Sequence, residues 1–273
     1  MKSIDRPADL KRVFDQIFTD YHDPRFLGLD PLICVRRFSS DRDREIIGLL
    51  SAALAYGRVE IVIRSIEKIL SIMQMKPAEF TTGTSFREKC RLLDGFKHRF
   101  NDGVDMAMLL ESVKLLLKRY GSLENCFRKS LEKNNGELKG TLACFVTSIR
   151  KTGERLCPEK KSFTYLVSSP ENGSACKRMV LYLRWMIRQE DGIDLGVWKS
   201  VSPSHLMMPV DTHVAKIASL AGLSGRKCAD WKMAEEITAV LKTFDPGDPI
   251  KYDFSLCRAG MLHFRKGGGH FGY

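Results

Sequence analysis

The sequence predicts an all-α fold, on three observations. Apolar residues recur at i, i+3 and i+4 through most of the 273 residues, the period of a helix face. The periodic stretches are punctuated by helix start and stop residues: Asp or Ser before them, Gly after. No convincing alternating strand, internal repeat or low-complexity segment interrupts the pattern.

Residues 8–20 form a first amphipathic helix. Asp41 or Asp43 caps the next, REIIGLLSAALAYG, which ends at Gly57. VEIVIRSIEKILSIM is rich in β-branched residues, but Glu60, Arg64 and Lys68 at i, i+4 spacing argue for helix. Residues 79–103 read as mixed and loop-rich. DMAMLLESVKLLLKRY is a helix stopped by Gly121, and Ser122 caps a short one to about Lys133. NNGE is a turn, LKGTLACFVTSIRK a helix, and RKTGERLCPEKK a basic linker. SFTYLVSS leads into a turn, PENGS, and then the long apolar run CKRMVLYLRWMIRQ. Helices follow at 212–221, closed by Gly222, then at 230–243 and 249–262. The tail 263–273 is expected to be flexible.

Composition narrows the function classes. Lys+Arg number 44 against 33 Asp+Glu, a net +11 that no single run holds. A folded protein with a positive face suits a polyanionic partner. No stretch of 18 residues is free of charge, so no membrane span is expected. The amino terminus mixes acids with bases and has no apolar signal core, which favours a cytoplasmic protein. The eight cysteines lie far apart without CxxC spacing, so no metal or iron–sulfur site is expected.

The turn before the apolar run carries the first candidate site. Gly173 is free to adopt a left-handed conformation and Ser174 is a natural N-cap, giving a helix–turn–helix hairpin. Such a bend turns backbone N–H groups toward a phosphate. Lys177 falls in the first turn of the following helix, where helix dipole and burial both push its pKa down. It is then an amine nucleophile, a phosphate-binding lysine or a solvated helix-end residue. In MPVDTHVAKIASLAGL, Asp211 stands at an N-cap. It is either an ordinary cap or a carboxylate aimed at the mouth of the neighbouring helix.

Taken together, Gly173, Lys177 four residues on, and the later PVDTHV resemble the helix-hairpin-helix DNA glycosylase superfamily, to which endonuclease III and the 8-oxoguanine glycosylases belong. REIIGLLSAALAYG is similar to that superfamily's first core helix. The closest resemblance is to a bacterial family within it, marked by KRMVLYLRWMIR, PVDTHV and DPIKYDFSL. The resemblance spans about residues 40–260, with hairpin and catalytic segment at about 163–222, in a chain treated as one unit over 1–273. It implies two helical lobes with a cleft between them, Lys177 as nucleophile and Asp211 as acid/base. It implies removal of a damaged base from duplex DNA, with lyase activity through a lysine Schiff base, no cofactor, and a monomer. Two departures stand out. Ala175 replaces the hairpin's second glycine, and Lys177 to Asp211 is 34 residues, longer than in endonuclease III. The added RQEDGIDLGVWKSVSPSHLM is a candidate lid or pocket wall. The alternatives are a non-catalytic nucleic-acid-binding protein on this scaffold, or a related glycosidic reaction on RNA or a nucleoside.

Other residues complete the reading. Gly173, Ser174 and Arg178 are candidate DNA contacts at the hairpin. FKHRF, with Lys97 and Arg99, alternates aromatic and cationic residues as base stacking plus phosphate contact requires, or is a loop anchored by two phenylalanines. His213 orients the Asp211 turn, packs, or touches substrate. Arg184 and Arg188 share a face with Lys177, and a buried ion pair is the expectation for Arg184. Trp185 is expected in the core.

Overall fold

The computed structural model describes residues 7–265, and fourteen α-helices run through them. They are α1 (Pro7–Tyr21), α2 (Leu32–Val35), α3 (Asp41–Ala53), α4 (Val59–Ile72), α5 (Pro77–Gly83) and α6 (Phe86–Leu92). A two-residue hairpin follows, β1 (Lys97–His98) against β2 (Asn101–Asp102), antiparallel. Then come α7 (Gly103–Tyr120), α8 (Leu123–Lys133), α9 (Leu138–Leu156), α10 (Lys161–Leu166) and α11 (Lys177–Ile187). The last three are α12 (Thr212–Leu220), α13 (Trp231–Phe244) and α14 (Asp253–Arg265).

The packing follows from which faces are apolar. α7 runs along α9, and α8 lies against both. α1 packs on α14, which also carries α12. Between these groups α11 packs on α3, and every residue from Arg178 to Ile187 is buried. Gly48 lets the two helices approach: an added Cβ would stand 2.7 Å from Met186 Cε.

Burying α11 on all sides means burying its charges, so they must be paired. Arg184 binds Asp194 at 3.1 Å and also Asp253 on α14. Arg188 binds Asp194, Asp248 at 2.9 Å and Asp191 at 3.1 Å. Asp191 in turn meets His22 at the end of α1, at 2.9 Å. The expected buried ion pair of Arg184 is thus part of a network joining α11 to the amino- and carboxy-terminal helices.

Several local expectations change. Ser40, not Asp41 or Asp43, caps α3, and the Asp43 carboxylate accepts the Ala78 amide of α5 instead. α3 ends at Ala53, with Gly57 beyond it at φ +96°. Residues 79–103 hold most of α5, all of α6 and the β-hairpin, elements too short for periodicity to reveal. Much of the basic linker is the last two turns of α9. The polar insertion is not an open lid. Ile193–Trp198 and Leu206–Met208 are buried, Trp198 donates to Glu45, and Asp194 pairs with the two arginines. α14 continues to Arg265, so 263–265 of the expected tail are helical; 266–273 lie outside the described residues.

Candidate functional site

Two segments meet at the mouth of α11. The chain leaves α10, makes a 3₁₀ turn at Pro170–Asn172, and bends at Gly173 with φ +77°. Cys176 follows, also left-handed at φ +46°, a conformation that costs a non-glycine residue about 1 kcal/mol. It is the N-cap of α11 and offers no side-chain cap. Ser174 is therefore not the N-cap: its hydroxyl accepts the Cys176 amide at 3.2 Å, and its backbone bridges to Asp230. The first-turn amides of α11 are left without a side-chain partner, a polar end suited to an anion. Ala175 is buried here, in the place of the missing glycine.

The second segment, Pro209–Val210–Asp211, ends in the cap of α12. One oxygen of Asp211 accepts the amides of His213 at 2.9 Å and Val214 at 2.8 Å. The other, Oδ2, accepts from Lys177 Nζ at 2.9 Å. The capping role and the pairing role are thus both filled, by different oxygens.

The pair reverses one expectation. Burial alone would push the Lys177 amine down, but the charges of Asp211 and Asp253 and the Asp211 hydrogen bond outweigh it, and its pKa is raised. For Asp211 burial pushes the carboxyl up, yet Lys177 and the α12 amides hold it below its ordinary range. The resting state is an ammonium facing a carboxylate. Nearby on α14, burial with the Asp211 charge pushes the Cys257 thiol up to about 12, so it stays neutral.

Lys177 stands where two concavities join. A pocket of about 100 Å³ lies on one side, bordered by Gly57, Leu181, Asp211, Asp253 and Met261 among others. Arg184 and Arg258 also border it, and one nitrogen of each, Nη2 and Nε, has no hydrogen-bond partner. On the other side lies a more open groove of about 610 Å³ lined by Tyr56, Arg150, Lys161, Tyr165, the turn Ser174–Cys176 and Arg178. Lys177 and Ala55 belong to both. Four cations line the groove and no carboxylate does.

Arg178 does not project freely into this groove as a phosphate contact would. It is buried, donates to the Ala53 and Tyr165 carbonyls, and lies against both the Tyr56 and Tyr165 rings, at 4.9 and 4.7 Å. Arg150 likewise donates to carbonyls, of Val167 and Thr164. A carbonyl fixes an arginine without cancelling its charge, so the wall stays positive. Gly173 and Ser174 are exposed at the groove's turn. Lys97 and Arg99 are exposed on the β-hairpin and form no ion pair among the described residues. Arg99, at φ +53°, lies over Gly57. His213 borders neither concavity; its amide serves Asp211.

Sequence reasoning missed Tyr56 and Tyr165, which come from the loop after α3 and from α10 and meet only in the fold. It also missed Glu45, a buried carboxylate that accepts the α8 amides of Leu123 and Glu124 and the Trp198 indole. Among the described residues no group of three or more His, Cys, Asp or Glu could hold a metal, and no helix is long and apolar enough to cross a membrane.

Residues 30–262 match a protein family described as "Protein of unknown function (DUF2400)". No curated protein and no solved structure matches the chain.

Proposed function

The chain belongs to the DUF2400 family, and we propose that this member is a DNA N-glycosylase of the helix-hairpin-helix kind, acting on a damaged base in duplex DNA. The supporting observation is the Lys177–Asp211 pair, 2.9 Å apart where a partly open pocket joins a basic groove. A base turned out of the duplex enters the pocket while its strand lies along the groove. The helices on either side of α11 are then the two lobes that grip it.

In this reading the ammonium of Lys177 first passes a proton to Asp211 along their hydrogen bond. The freed amine attacks C1′ of the sugar as the bond from C1′ to the base breaks, and Asp211 returns the proton to the departing base. The secondary amine opens the sugar ring to a Schiff base, the ring oxygen leaving as a hydroxyl. Loss of the C2′ proton then expels the 3′ phosphate and nicks the strand. Pairing with a carboxylate keeps the amine protonated at rest, so the nucleophile is released only when substrate displaces water from the pair.

Borohydride trapping against duplexes carrying different damaged bases tests this. The wild-type protein is expected to release one class of base and to form a reduced covalent adduct; Lys177→Gln is expected to do neither. Asp211→Asn should slow the reaction by about 10²–10⁴-fold, the range for a lost acid/base. The raised pKa of Lys177 favours one other reading, in which a permanent ammonium binds phosphate on a non-catalytic scaffold. Salt-sensitive duplex binding with neither adduct nor base release would select it.

A further inference from the structure

We propose that Phe100, with Tyr165 behind it, is a stacking platform for an unpaired base in DNA bound along the groove. The proposal rests on the groove being a DNA site but not on the chemistry of Lys177.

The FKHRF segment splits by burial. Phe96 and His98 point inward, His98 bonding Ser65 at 2.8 Å. Lys97, Arg99 and Phe100 point out, because the hairpin turns at Arg99 in a left-handed conformation. Phe100 is 66% exposed, an arrangement an anchoring phenylalanine would not have. It is not isolated. Its ring meets Tyr165 edge-on at 5.6 Å, and Tyr165 meets Tyr56 edge-on at 5.3 Å. The three rings therefore form a continuous aromatic row from the solvent-facing hairpin to the groove wall that Tyr56 and Tyr165 line. Arg178 braces the inner two rings, so the row is rigid, and Arg99 lies at 5.7 Å from the Phe100 ring.

Charge selects the occupant. The groove below the row is lined by four cations and no carboxylate, which suits a phosphate backbone. An aromatic face beside a basic groove suits a planar base attached to that backbone. A fully paired duplex offers no free base face there; a strand with one base unpaired does.

The test compares three probes on the full chain: a paired duplex, the same duplex with one unpaired 2-aminopurine, and heparin, a polyanion without bases. Wild-type protein is expected to bind the unpaired probe about 10-fold more tightly than the paired one, with quenched 2-aminopurine fluorescence, within the range for stacking on one aromatic ring. Phe100→Ala should lose the preference and the quenching, Phe100→Trp should keep both, and heparin binding should not change in either. Phe100 is exposed, so both variants are expected to fold, and matched circular dichroism confirms it. Preference and quenching that survive Phe100→Ala would overturn the platform while leaving the groove a DNA site. Heparin binding that falls as far as DNA binding would overturn it as well. Heparin binding without any DNA binding would overturn both the platform and the DNA reading.

Discussion

Asp194→Ala should destabilise the protein strongly. Asp194 is fully buried between Arg184 and Arg188, bonding Arg184 at 3.1 Å. Removing one partner of a buried pair leaves uncompensated charge, at about 3–5 kcal/mol. Here Arg184 keeps Asp253, and Arg188 keeps Asp248 and Asp191, so the lower end, about 3 kcal/mol, is expected. Urea unfolding followed by fluorescence of the buried Trp185, Trp198 and Trp231 reads this directly. With a slope of about 3 kcal/mol per molar, the midpoint should fall by about 1 M. The comparison is Glu132→Ala, which breaks the exposed Arg128–Glu132 pair on α8 and should cost less than about 0.5 kcal/mol. If the two midpoints shift equally, the network does not hold α11, and the account of how Lys177 is positioned fails with it.

Other outcomes follow from the same geometry. In Asp211→Asn the amide still caps α12, but Lys177 loses its counter-charge, so stability near neutral pH should fall. The Lys177 amine should then titrate lower than in the wild type, seen as faster reductive methylation near neutral pH by mass spectrometry; an unchanged rate would show that Asp211 does not set the charge. For Asp191, burial is outweighed by the His22 bond, the Arg188 charge and the Asp194 amide, which hold its carboxyl well below the usual range. A lowered carboxyl contributes stability above its unfolded pKa of about 3.9, and loses it as pH falls from there toward the folded value. Asp191→Asn should therefore be less stable at neutral pH, and its stability should fall less steeply below about pH 4. For duplex binding, Lys177 is paired with Asp211 and Arg178 is held by carbonyls and rings, so the remaining groove cations Arg150 and Lys161 predict a log–log salt slope of about −2. A slope near zero would remove the groove from the binding surface.

The sequence makes some of this legible and hides the rest for physical reasons. Helices such as α7 and α8 carry their own caps and stops, so local chemistry reveals them. α5, α6 and α10 run only 6–7 residues, too short to show a period. Lys177 and Asp211 stand at recognisable helix starts, but the sign of the lysine's shift depends on a distance that no spacing gives. The helix dipole and burial are visible in one dimension; a carboxylate 34 residues away is not. The segment after Arg188 looks like a polar lid because Asp191 and Asp194 are acidic. It is a buried strap because arginines on α11 neutralise them. Arg178 reads as a phosphate contact from its place beside Lys177. The rings it packs against come from Tyr56 and Tyr165, and only tertiary packing brings them there.

Lys177 is the proposed nucleophile. Peptide mapping of the borohydride-trapped complex tests it most directly. A deoxyribose remnant is expected on Lys177, blocking tryptic cleavage there, with no modified peptide elsewhere. A remnant on another lysine, or efficient trapping that persists in Lys177→Gln, would contradict it.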